Sequence, residues 1–145
     1  MDLIPSAAVL IIKNGKVLLV KHTEKAGHLT DTYGLPAGRI NSGESEKKTA
    51  VRELFEETGL KSSEKDLTEF EGNYYIAEID RKGGQRLKFG WKVFLCRDYS
   101  GEIKESDETV PAWVEIAKLE NYNLLPNTKN VTMAGLRFLQ NEAKN

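Results

Sequence analysis

The sequence predicts an α/β fold in which helices cover the faces of a β-sheet. Short runs rich in apolar and β-branched residues, such as residues 4–12 and 87–96, indicate strands. Two stretches set apart from these runs, residues 45–58 and 127–142, have the apolar spacing of amphipathic helices. No repeat, low-complexity tract or linker-like change in composition divides the chain, so all 145 residues are predicted to form one domain.

The first third of the chain predicts a hairpin followed by a loop. Asn14-Gly15 separates the apolar run 4–12 from Val17–Val20, and this dipeptide is a strong signal for a β-hairpin. Residues 21–32 are polar and are predicted to form a loop. Residues 35–38, Leu-Pro-Ala-Gly, have the composition of a tight connection.

The helix predicted at residues 45–58 has clear boundary signals. Ser45 is a residue type preferred at the N-cap, Glu46 suits the positive end of the helix dipole, and Gly59 is typical of a helix end. The apolar residues within an arc of about 140° are predicted to be buried together: Ala50, Val51, Leu54 and Phe55.

The second half of the chain predicts further strands and a final helix. Strands are predicted around residues 70–79 and 87–96, with a turn at Gly83-Gly84 between them. The remaining elements are a short strand at residues 112–114, a short helix at 115–119 and the final helix at 127–142.

Composition and charge exclude several classes of protein. The chain has 21 Lys and Arg against 22 Asp and Glu, and this net charge of −1 argues against a protein that mainly grips nucleic-acid backbone or anionic lipid. The single cysteine, Cys96, excludes an internal disulfide and a zinc site built from several cysteines. The longest apolar run, residues 7–12, is too short to span a bilayer, and no export signal is evident. We therefore expect a cytoplasmic protein with no membrane partner.

Three glutamates of the predicted helix lie on one face, away from the apolar arc. Glu53, Glu56 and Glu57 fall within about 100° of one another. A like-charged i,i+4 pair destabilises an exposed helix by roughly 0.2–0.5 kcal/mol, and Arg52 is the basic residue closest to them. A divalent cation such as Mg²⁺ or Mn²⁺ would neutralise such a cluster of oxygen ligands. A solvated acidic face is the alternative, and the helix pattern alone does not decide between the two.

The glutamate face belongs to a longer motif. Residues 38–60 read GRINSGESEKKTAVRELFEETGL. This segment resembles the Nudix box: Gly, five residues, Glu, seven residues, Arg-Glu, an aliphatic, any residue, Glu-Glu, any residue, Gly and an aliphatic. The defined positions are filled by Gly38, Glu44, Arg52, Glu53, Leu54, Glu56, Glu57, Gly59 and Leu60. The non-aliphatic matches alone would coincide at a given start with a probability on the order of 10⁻⁸.

The resemblance to the Nudix family implies an α/β/α sandwich with a mixed β-sheet and the hydrolysis of a nucleoside diphosphate linked to another group. It implies Mg²⁺ or Mn²⁺ as cofactor, with the ligands Glu53, Glu56, Glu57 and the Gly38 carbonyl. By the same resemblance, Arg52 would orient a carboxylate of the site through a bidentate pair. Glu44 would brace the loop onto the helix or contact the metal ligands from outside. Arg39 is placed to hold a phosphate of the substrate.

The catalytic base has two candidates within this family. One is a glutamate of the box, here Glu53, which we favour because it shares a face with the other box glutamates. The other is a glutamate of a later loop, and residues 102–108 are acidic and contain Glu105 and Glu108. A solvated acidic turn is the simpler interpretation of that loop.

We expect the substrate to be a small nucleotide, in first place a nucleoside triphosphate, oxidised forms included, cleaved to monophosphate and pyrophosphate. ADP-ribose hydrolases often carry a proline after the box, where this chain has Tyr75-Ile76-Ala77. ADP-ribose and dinucleoside polyphosphates remain alternatives, as does a module that senses a nucleotide without turnover. Such modules usually lack box glutamates, which are all present here. We expect no stable nucleic-acid partner and either a monomer or a homodimer.

Several residues with reactive or aromatic side chains are interpreted as structural. His22 and His28 lie in the polar loop and are predicted to be at the surface, and Cys96 is predicted to be a small buried residue on a strand. Asn127 lies where some relatives read a base, but capping of the final helix explains it at least as well. The aromatic residues that could stack on a base but are predicted to belong to the core are Tyr74, Tyr75, Phe89 and Trp91.

Overall fold

The computed structural model describes residues 1–144 and confirms the mixed α/β fold. The strands are β1 (Leu3–Leu10), β2 (Ile12–Lys13), β3 (Lys16–His22), β4 (Tyr33–Gly34), β5 (Ala37–Arg39), β6 (Leu67–Thr68), β7 (Tyr74–Asp80), β8 (Arg86–Cys96) and β9 (Thr109–Glu115). The α-helices are α1 (Glu46–Thr58) and α2 (Thr128–Ala143), and short 3₁₀ helices lie at Glu64–Asp66, Lys82–Gly84 and Ile116–Asn121. Neither α-helix is long and apolar enough to cross a membrane.

The strands form two sheets. In the first sheet β1 runs parallel to β8 and antiparallel to β5, and β8 also pairs antiparallel with β6 and β7. In the second sheet β3 pairs antiparallel with β2, β4 and β9. The mixed sheet that the resemblance implies is therefore present, and a smaller antiparallel sheet accompanies it.

The turn at Asn14-Gly15 forms as predicted, but it joins shorter strands than expected. Asn14 and Gly15 have φ angles of 51° and 75°, which are the positive values that a type I′ hairpin turn requires. The turn places Lys13 opposite Lys16. The long apolar strand β1 does not join this hairpin, because the chain leaves the first sheet after Leu10. The pairing of β1 with β8 depends on residues far along the chain, which no local signal specifies.

Alternate residues of β1 face two separate apolar layers. Ala7 packs in the cluster that contains Leu54 of α1. Its neighbour Ala8 packs in the cluster that contains Val131 of α2. Side chains of a strand alternate between the two faces of its sheet, so the two helices cover opposite faces of β1. This arrangement is the helix–sheet–helix layering that the resemblance implies.

The boundaries of α1 agree with the prediction. Ser45 Oγ accepts a hydrogen bond from the Lys48 N–H at 3.1 Å, which satisfies one of the free donors of the first turn. Gly59 has φ 84°, and its N–H donates to the Phe55 carbonyl at 2.9 Å. The helix therefore begins and ends where the capping residues indicate.

The apolar arc of α1 is narrower than predicted. Ala50 and Leu54 are fully buried, but Phe55 is 51% exposed. Phe55 lies at the edge of the arc, where its ring stands 5.8 Å from the Lys61 Nζ. The prediction that Phe55 is buried was wrong, because the sheet covers only the centre of the arc.

The start of α2 agrees with the prediction, but its cap does not. Asn127 precedes the helix with φ 66°, and its side chain makes no capping hydrogen bond to the backbone. The Asn127 Oδ1 instead accepts from the Asn130 Nδ2 at 3.3 Å. A left-handed backbone conformation, which Asn tolerates better than most residues, accounts for Asn127 at this position.

The β7–β8 hairpin carries its turn where the sequence predicts it. Gly83 and Gly84 have φ angles of 77° and 75°, which other residue types rarely adopt. The strands pair from Tyr74 opposite Lys92 to Asp80 opposite Arg86. The residue between β7 and the turn is Arg81, which faces the cavity described next.

Candidate active site

A cavity of about 210 Å³ opens beside α1, between β5 and the loops that follow β3 and β7. Its acidic wall consists of Glu53, Glu57 and Glu108. Its basic and imidazole groups are Arg39, Arg81, His22 and His28. Its aromatic wall consists of Tyr75, Phe89 and Trp91. Charged groups of both signs and an apolar surface thus meet in one small volume, which is typical of a site for a polar ligand.

Arg52 links the carboxylates of α1 to the preceding loop. Its Nε and Nη2 donate to the two carboxylate oxygens of Glu44, at 2.8 and 2.9 Å, which is a bidentate pair. Its Nη1 donates to Glu53 Oε1 at 2.7 Å and lies 3.3 Å from Glu56 Oε2. Its Nη2 also donates to the Arg39 carbonyl at 3.1 Å. The hydrogen bonds to Glu44 raise the pKa of Arg52 above its ordinary value.

Glu44 fastens the loop 38–44 to the helix. Besides Arg52, its carboxylate accepts from the Asn41 N–H at 3.1 Å and from the Thr49 hydroxyl at 2.6 Å. The hydrogen bonds from Arg52, and then that from Thr49, lower the pKa of Glu44 to about 2. Glu44 is therefore ionised at neutral pH and occupied by contacts within the protein, which is the bracing position that the resemblance implies.

Glu53 and Glu57 are carboxylates held in an environment that disfavours their charge. Glu57 Oε1 accepts from the Ala37 N–H at 2.8 Å. Burial, followed by repulsion from Glu53, raises the pKa of Glu57 well above its ordinary value. Burial also raises the pKa of Glu53 to about 7, although the hydrogen bond from Arg52 opposes that shift. A cation placed beside both carboxylates would offset the electrostatic cost of ionising them.

Gly38 brings the backbone of β5 against this pair. A β-carbon at position 38 would overlap the carboxyl group of Glu53. Any side chain at this position would therefore displace either β5 or the carboxylate. Glycine is required here because of space, and it lets a backbone carbonyl and a helix carboxylate occupy the same corner of the cavity.

The donors on this face fit a divalent cation by chemistry. Carboxylate and carbonyl oxygens are the ligands that Mg²⁺ and Mn²⁺ prefer. Between residues 1 and 144 no three His, Cys, Asp or Glu side chains converge on one point. Arg52 holds Glu53 and Glu56, and the Ala37 N–H holds Glu57. A cation would therefore compete with Arg52 for the first two carboxylates.

The acidic loop before β9 contributes one glutamate to the cavity. Glu108 lines it, and the charge of Glu108 contributes to the raised pKa of Glu57. The Thr109 hydroxyl donates to the Glu57 carbonyl at 2.9 Å, which fixes the end of the loop to α1. Glu105 is exposed and does not line the cavity. Both glutamates are exposed, and Glu108 differs from Glu105 in that it lines the cavity.

The two histidines are not the surface residues that the sequence predicted. His22 ends β3 and is buried, and its Nδ1 donates to the Thr32 carbonyl at 2.8 Å. The rings of His22 and His28 meet edge to face at 4.7 Å, and His28 lies 5.9 Å from the Phe89 ring. Burial lowers the pKa of His22 and lowers that of His28 to about 3. His28 packs on Phe89 of β8 and His22 pairs with Thr109 of β9, both far along the chain, so the polar sequence neighbours of the two histidines misled the prediction.

Three of the strand aromatics pack on one another and also line the cavity. Tyr75, Trp91 and Phe89 stack in a row, with centroids 4.8 and 5.0 Å apart, and all three line the cavity. Phe89 and Trp91 are buried as predicted, whereas Tyr74 is 51% exposed on the other face of β7. Cys96 is buried as predicted. Asn127 does not line the cavity.

Sequence reasoning missed Arg81. It follows a strand in a polar hairpin, and nothing in its neighbours distinguishes it from the exposed Arg86. An isolated β-bridge places it opposite His28, which brings it to the cavity. A signal for Arg81 would have required knowledge of this pairing between distant segments.

The fold is shared with known structures. The crystal structure of the MutT protein from Methanosarcina mazei Go1 matches this chain with a TM-score of 0.75 and 24% sequence identity, over 97% of this chain and 96% of that one. At this level of identity the likeness establishes the fold.

Sequence comparison identifies the family. The chain is 32% identical over 111 residues to an oxidized purine nucleoside triphosphate hydrolase of Danio rerio, covering 77% of this chain and 65% of that protein. It is 33% identical over 110 residues to an ADP-ribose pyrophosphatase of Methanocaldococcus jannaschii, covering 74% of this chain and 60% of that protein. The chain thus spans less than two thirds of the length of these relatives. A family model of the NUDIX domain matches residues 2–134, and the chain therefore belongs to the NUDIX domain family.

Proposed function

We propose that the chain is a divalent-metal-dependent hydrolase that cleaves a nucleoside triphosphate to monophosphate and pyrophosphate. The observation that carries this proposal is the placement of two carboxylates, Glu53 and Glu57, in one cavity beside the backbone of Gly38, where oxygen ligands for a cation are gathered. The pair shares its cavity with an aromatic wall and two arginines. In a nucleotide, the phosphates would match the arginines and the cation, and the base would match the aromatic wall.

The residues that would hold the cation, Mg²⁺ or Mn²⁺, are Glu53, Glu56, Glu57 and the Gly38 carbonyl. When bound, the ion neutralises phosphate charge and lowers the pKa of a bound water. Arg52 would keep the carboxylates oriented through its pair with Glu44, which ties the helix to the loop before it. The aromatic wall would exclude bulk water from one side of the phosphates.

Glu53 is the residue that we propose as the base. It lines the cavity, lies against the backbone of Gly38 and is fixed by Arg52 at 2.7 Å. In the proposed reaction a water attacks a phosphorus next to the α,β-bridging oxygen, and the bond from that phosphorus to the bridging oxygen breaks. The proton of the water passes to the Glu53 carboxylate, and nucleoside monophosphate and pyrophosphate are released. Glu108 is the competing base because it also lines the cavity. Glu105, outside the cavity, is not supported by its position.

The choice of a nucleoside triphosphate is supported by the Danio rerio relative, whose name states that activity. The Methanocaldococcus jannaschii relative, an ADP-ribose pyrophosphatase, supports ADP-ribose as a second candidate. Retention of all box glutamates supports an enzyme over a nucleotide-sensing module. The bond cleaved would be a phosphoanhydride in either case.

A substrate screen tests the proposal. Purified protein is incubated with nucleoside triphosphates, oxidised deoxynucleoside triphosphates, ADP-ribose, NADH and dinucleoside polyphosphates, each with Mg²⁺ and with Mn²⁺, and the products are identified by ³¹P NMR. We expect monophosphate and pyrophosphate from a triphosphate, and no products in excess EDTA. Release of inorganic phosphate alone, turnover in EDTA, or no turnover of any compound would contradict the proposal. Glu46→Gln, an exposed change on the same helix, is the matched control and should keep the wild-type rate.

A further inference from the structure

Two arginines line the cavity without a carboxylate partner. Arg39 ends β5 and Arg81 follows β7, and their guanidinium carbons lie 5.9 and 5.6 Å from the centroid of the Phe89 ring. Within residues 1–144 neither side chain has a carboxylate oxygen within 4.0 Å. We call Arg39 and Arg81 the guanidinium pair. Arg39 is exposed, whereas Arg81 is half-buried. A buried arginine nitrogen is normally hydrogen-bonded, so an unpaired one on Arg81 indicates a place for an acceptor.

Neighbouring residues fix the position of Arg81 in the cavity wall. Gly27 lies against it, and a β-carbon there would overlap the guanidinium group. The next residue, Lys82, donates its Nζ to the carbonyls of Thr23, Glu24 and Ala26 at 2.9, 2.7 and 2.7 Å. These three bonds fasten the β7–β8 turn to the loop after β3. Arg81 is thereby held in place by contacts on both sides, rather than left free as a surface arginine would be.

Two buried nitrogen atoms in this wall of the cavity are unpaired among the described residues. Arg81 Nε and His28 Nδ1 are buried, and neither has a hydrogen-bond partner among residues 1–144. The pKa of Arg81 is lowered by burial and then by the charge of Arg39, while Glu108 acts in the opposite direction without pairing with it. Arg86, on the same hairpin, shows the ordinary arrangement, since it is exposed and its Nη1 lies 3.0 Å from Asp80 Oδ1. The positive charges of Arg39 and Arg81 and the two unpaired nitrogens, Arg81 Nε and His28 Nδ1, therefore belong to residues that line the same cavity.

We propose that Arg81 joins Arg39, which the resemblance already places at a phosphate, to form an anion clamp that binds a phosphate group of the substrate. This assignment rests on the proposed nucleotide hydrolysis and names the residues that would hold the phosphate chain away from the cation. A guanidinium presents parallel N–H donors that match the oxygens of one phosphate. Arg81 is then a substrate-binding residue, and Gly27 and Lys82 are positioning residues that act through it.

A structural role is the alternative for Arg81, because its guanidinium also packs on Phe89. A cation–π contact of this kind would stabilise the hairpin without binding any ligand. In that case a change at Arg81 would lower the melting temperature and leave anion affinity unchanged. Anion affinity and melting temperature must therefore be measured on the same variants.

The direct test is a titration with inorganic pyrophosphate, followed by NMR of the arginine Nε–H groups, in EDTA and again with Mg²⁺. We expect the Arg81 and Arg39 signals of the wild-type protein to move and those of Arg86 to stay. Arg81→Lys retains the charge but loses the paired donors, so its affinity should fall about 10-fold or more. Gly27→Ala, which displaces Arg81 without removing it, should weaken binding in the same direction. Arg86→Lys is the matched control and should bind as the wild type does.

Several outcomes overturn the anion clamp. These are no binding of pyrophosphate by the wild-type protein, binding without movement of the Arg81 signal, or equal affinity in Arg81→Lys and wild type. A lower melting temperature with unchanged affinity assigns Arg81 the structural role. Failure of the proposed function is a separate result, since it would show as absent hydrolysis while pyrophosphate still binds. If both hold, Arg81→Lys should raise KM for the triphosphate more than it lowers kcat.

Discussion

Two carboxylates of α1, Glu53 and Glu57, line the same cavity as the guanidinium pair, but the two groups are assembled in opposite ways. Glu53 and Glu57 come from a single helix, and Arg52 pairs with Glu53 at 2.7 Å. Glu56 also contacts Arg52 but is exposed outside the cavity. Arg39 and Arg81 come from separate strand ends and have no such counter-ion among the described residues. The first group therefore has a sequence signature and an internal partner, whereas the second exists only in the folded chain. Like charges gathered at one place are costly until a ligand arrives, and this holds for both groups.

The largest effect is expected at Glu53. Glu53→Gln should lower kcat at saturating Mg²⁺ by about 10²–10⁴-fold, because the amide cannot accept the proton of the attacking water. A residue that only binds metal would behave differently, since added Mg²⁺ would restore part of its rate. Steady-state kinetics over a range of Mg²⁺ concentrations separates the two roles.

Glu108 provides the matched comparison for the base. We expect Glu108→Gln to change kcat only slightly, although the residue lines the same cavity. Glu105→Gln should have a smaller effect still, because Glu105 is exposed outside it. If Glu108→Gln shows the large loss while Glu53→Gln recovers with metal, the base belongs to the loop.

The histidines on the basic side of the cavity should make stability depend on pH. The pKa of His28 is about 3 in the folded state, against an ordinary value of 6.5. Between about pH 3 and pH 6.5 the unfolded chain therefore binds more protons at this residue than the folded protein does. Stability is thus lost as the pH falls below about 6.5, and His28 accounts for up to about 2 kcal/mol between pH 7 and pH 5. Urea unfolding of wild type and His28→Gln at both pH values measures this, and equal losses in the two proteins would contradict it.

The smallest effect is expected on the melting temperature without metal. Glu57→Gln keeps an oxygen to accept the Ala37 N–H but removes a buried charge that Glu53 repels. The metal-free variant should therefore melt roughly 2–4 °C higher than the wild type, as about 1 kcal/mol produces in a domain of this size. Differential scanning calorimetry in EDTA gives the comparison. A lower melting temperature would mean that the carboxylate stabilises the fold.

Local signals predicted much of α1 and its surroundings. Ser45 and Gly59 bound the helix because capping depends on adjacent residues, and the Asn14-Gly15 turn forms for the same reason. Arg52 and Glu44 both belong to the motif at residues 38–60, so the resemblance of that motif to the Nudix box was enough to suggest a pair between Arg52 and a carboxylate.

Features that depend on distant segments were missed or misjudged. The pairing of β1 with β8, the burial of His22 and the place of Arg81 all follow from contacts between parts of the chain far apart in sequence. Phe55 and Tyr74 show the converse, because each has an apolar neighbour pattern but faces no covering element. Periodicity indicates which residues share a face, while the fold decides which faces are covered.

Binding of Mn²⁺ to the metal-free protein, measured by EPR, tests most directly whether the carboxylates of α1 hold the cation. Wild type, Glu57→Gln and the control Glu46→Gln are titrated under the same conditions, and no substrate is present. We expect Glu57→Gln to bind at least about 10-fold more weakly than the wild type, since one charged ligand is lost, and Glu46→Gln to bind equally well. Equal affinity in all three proteins would place the metal elsewhere and contradict the role assigned to this helix.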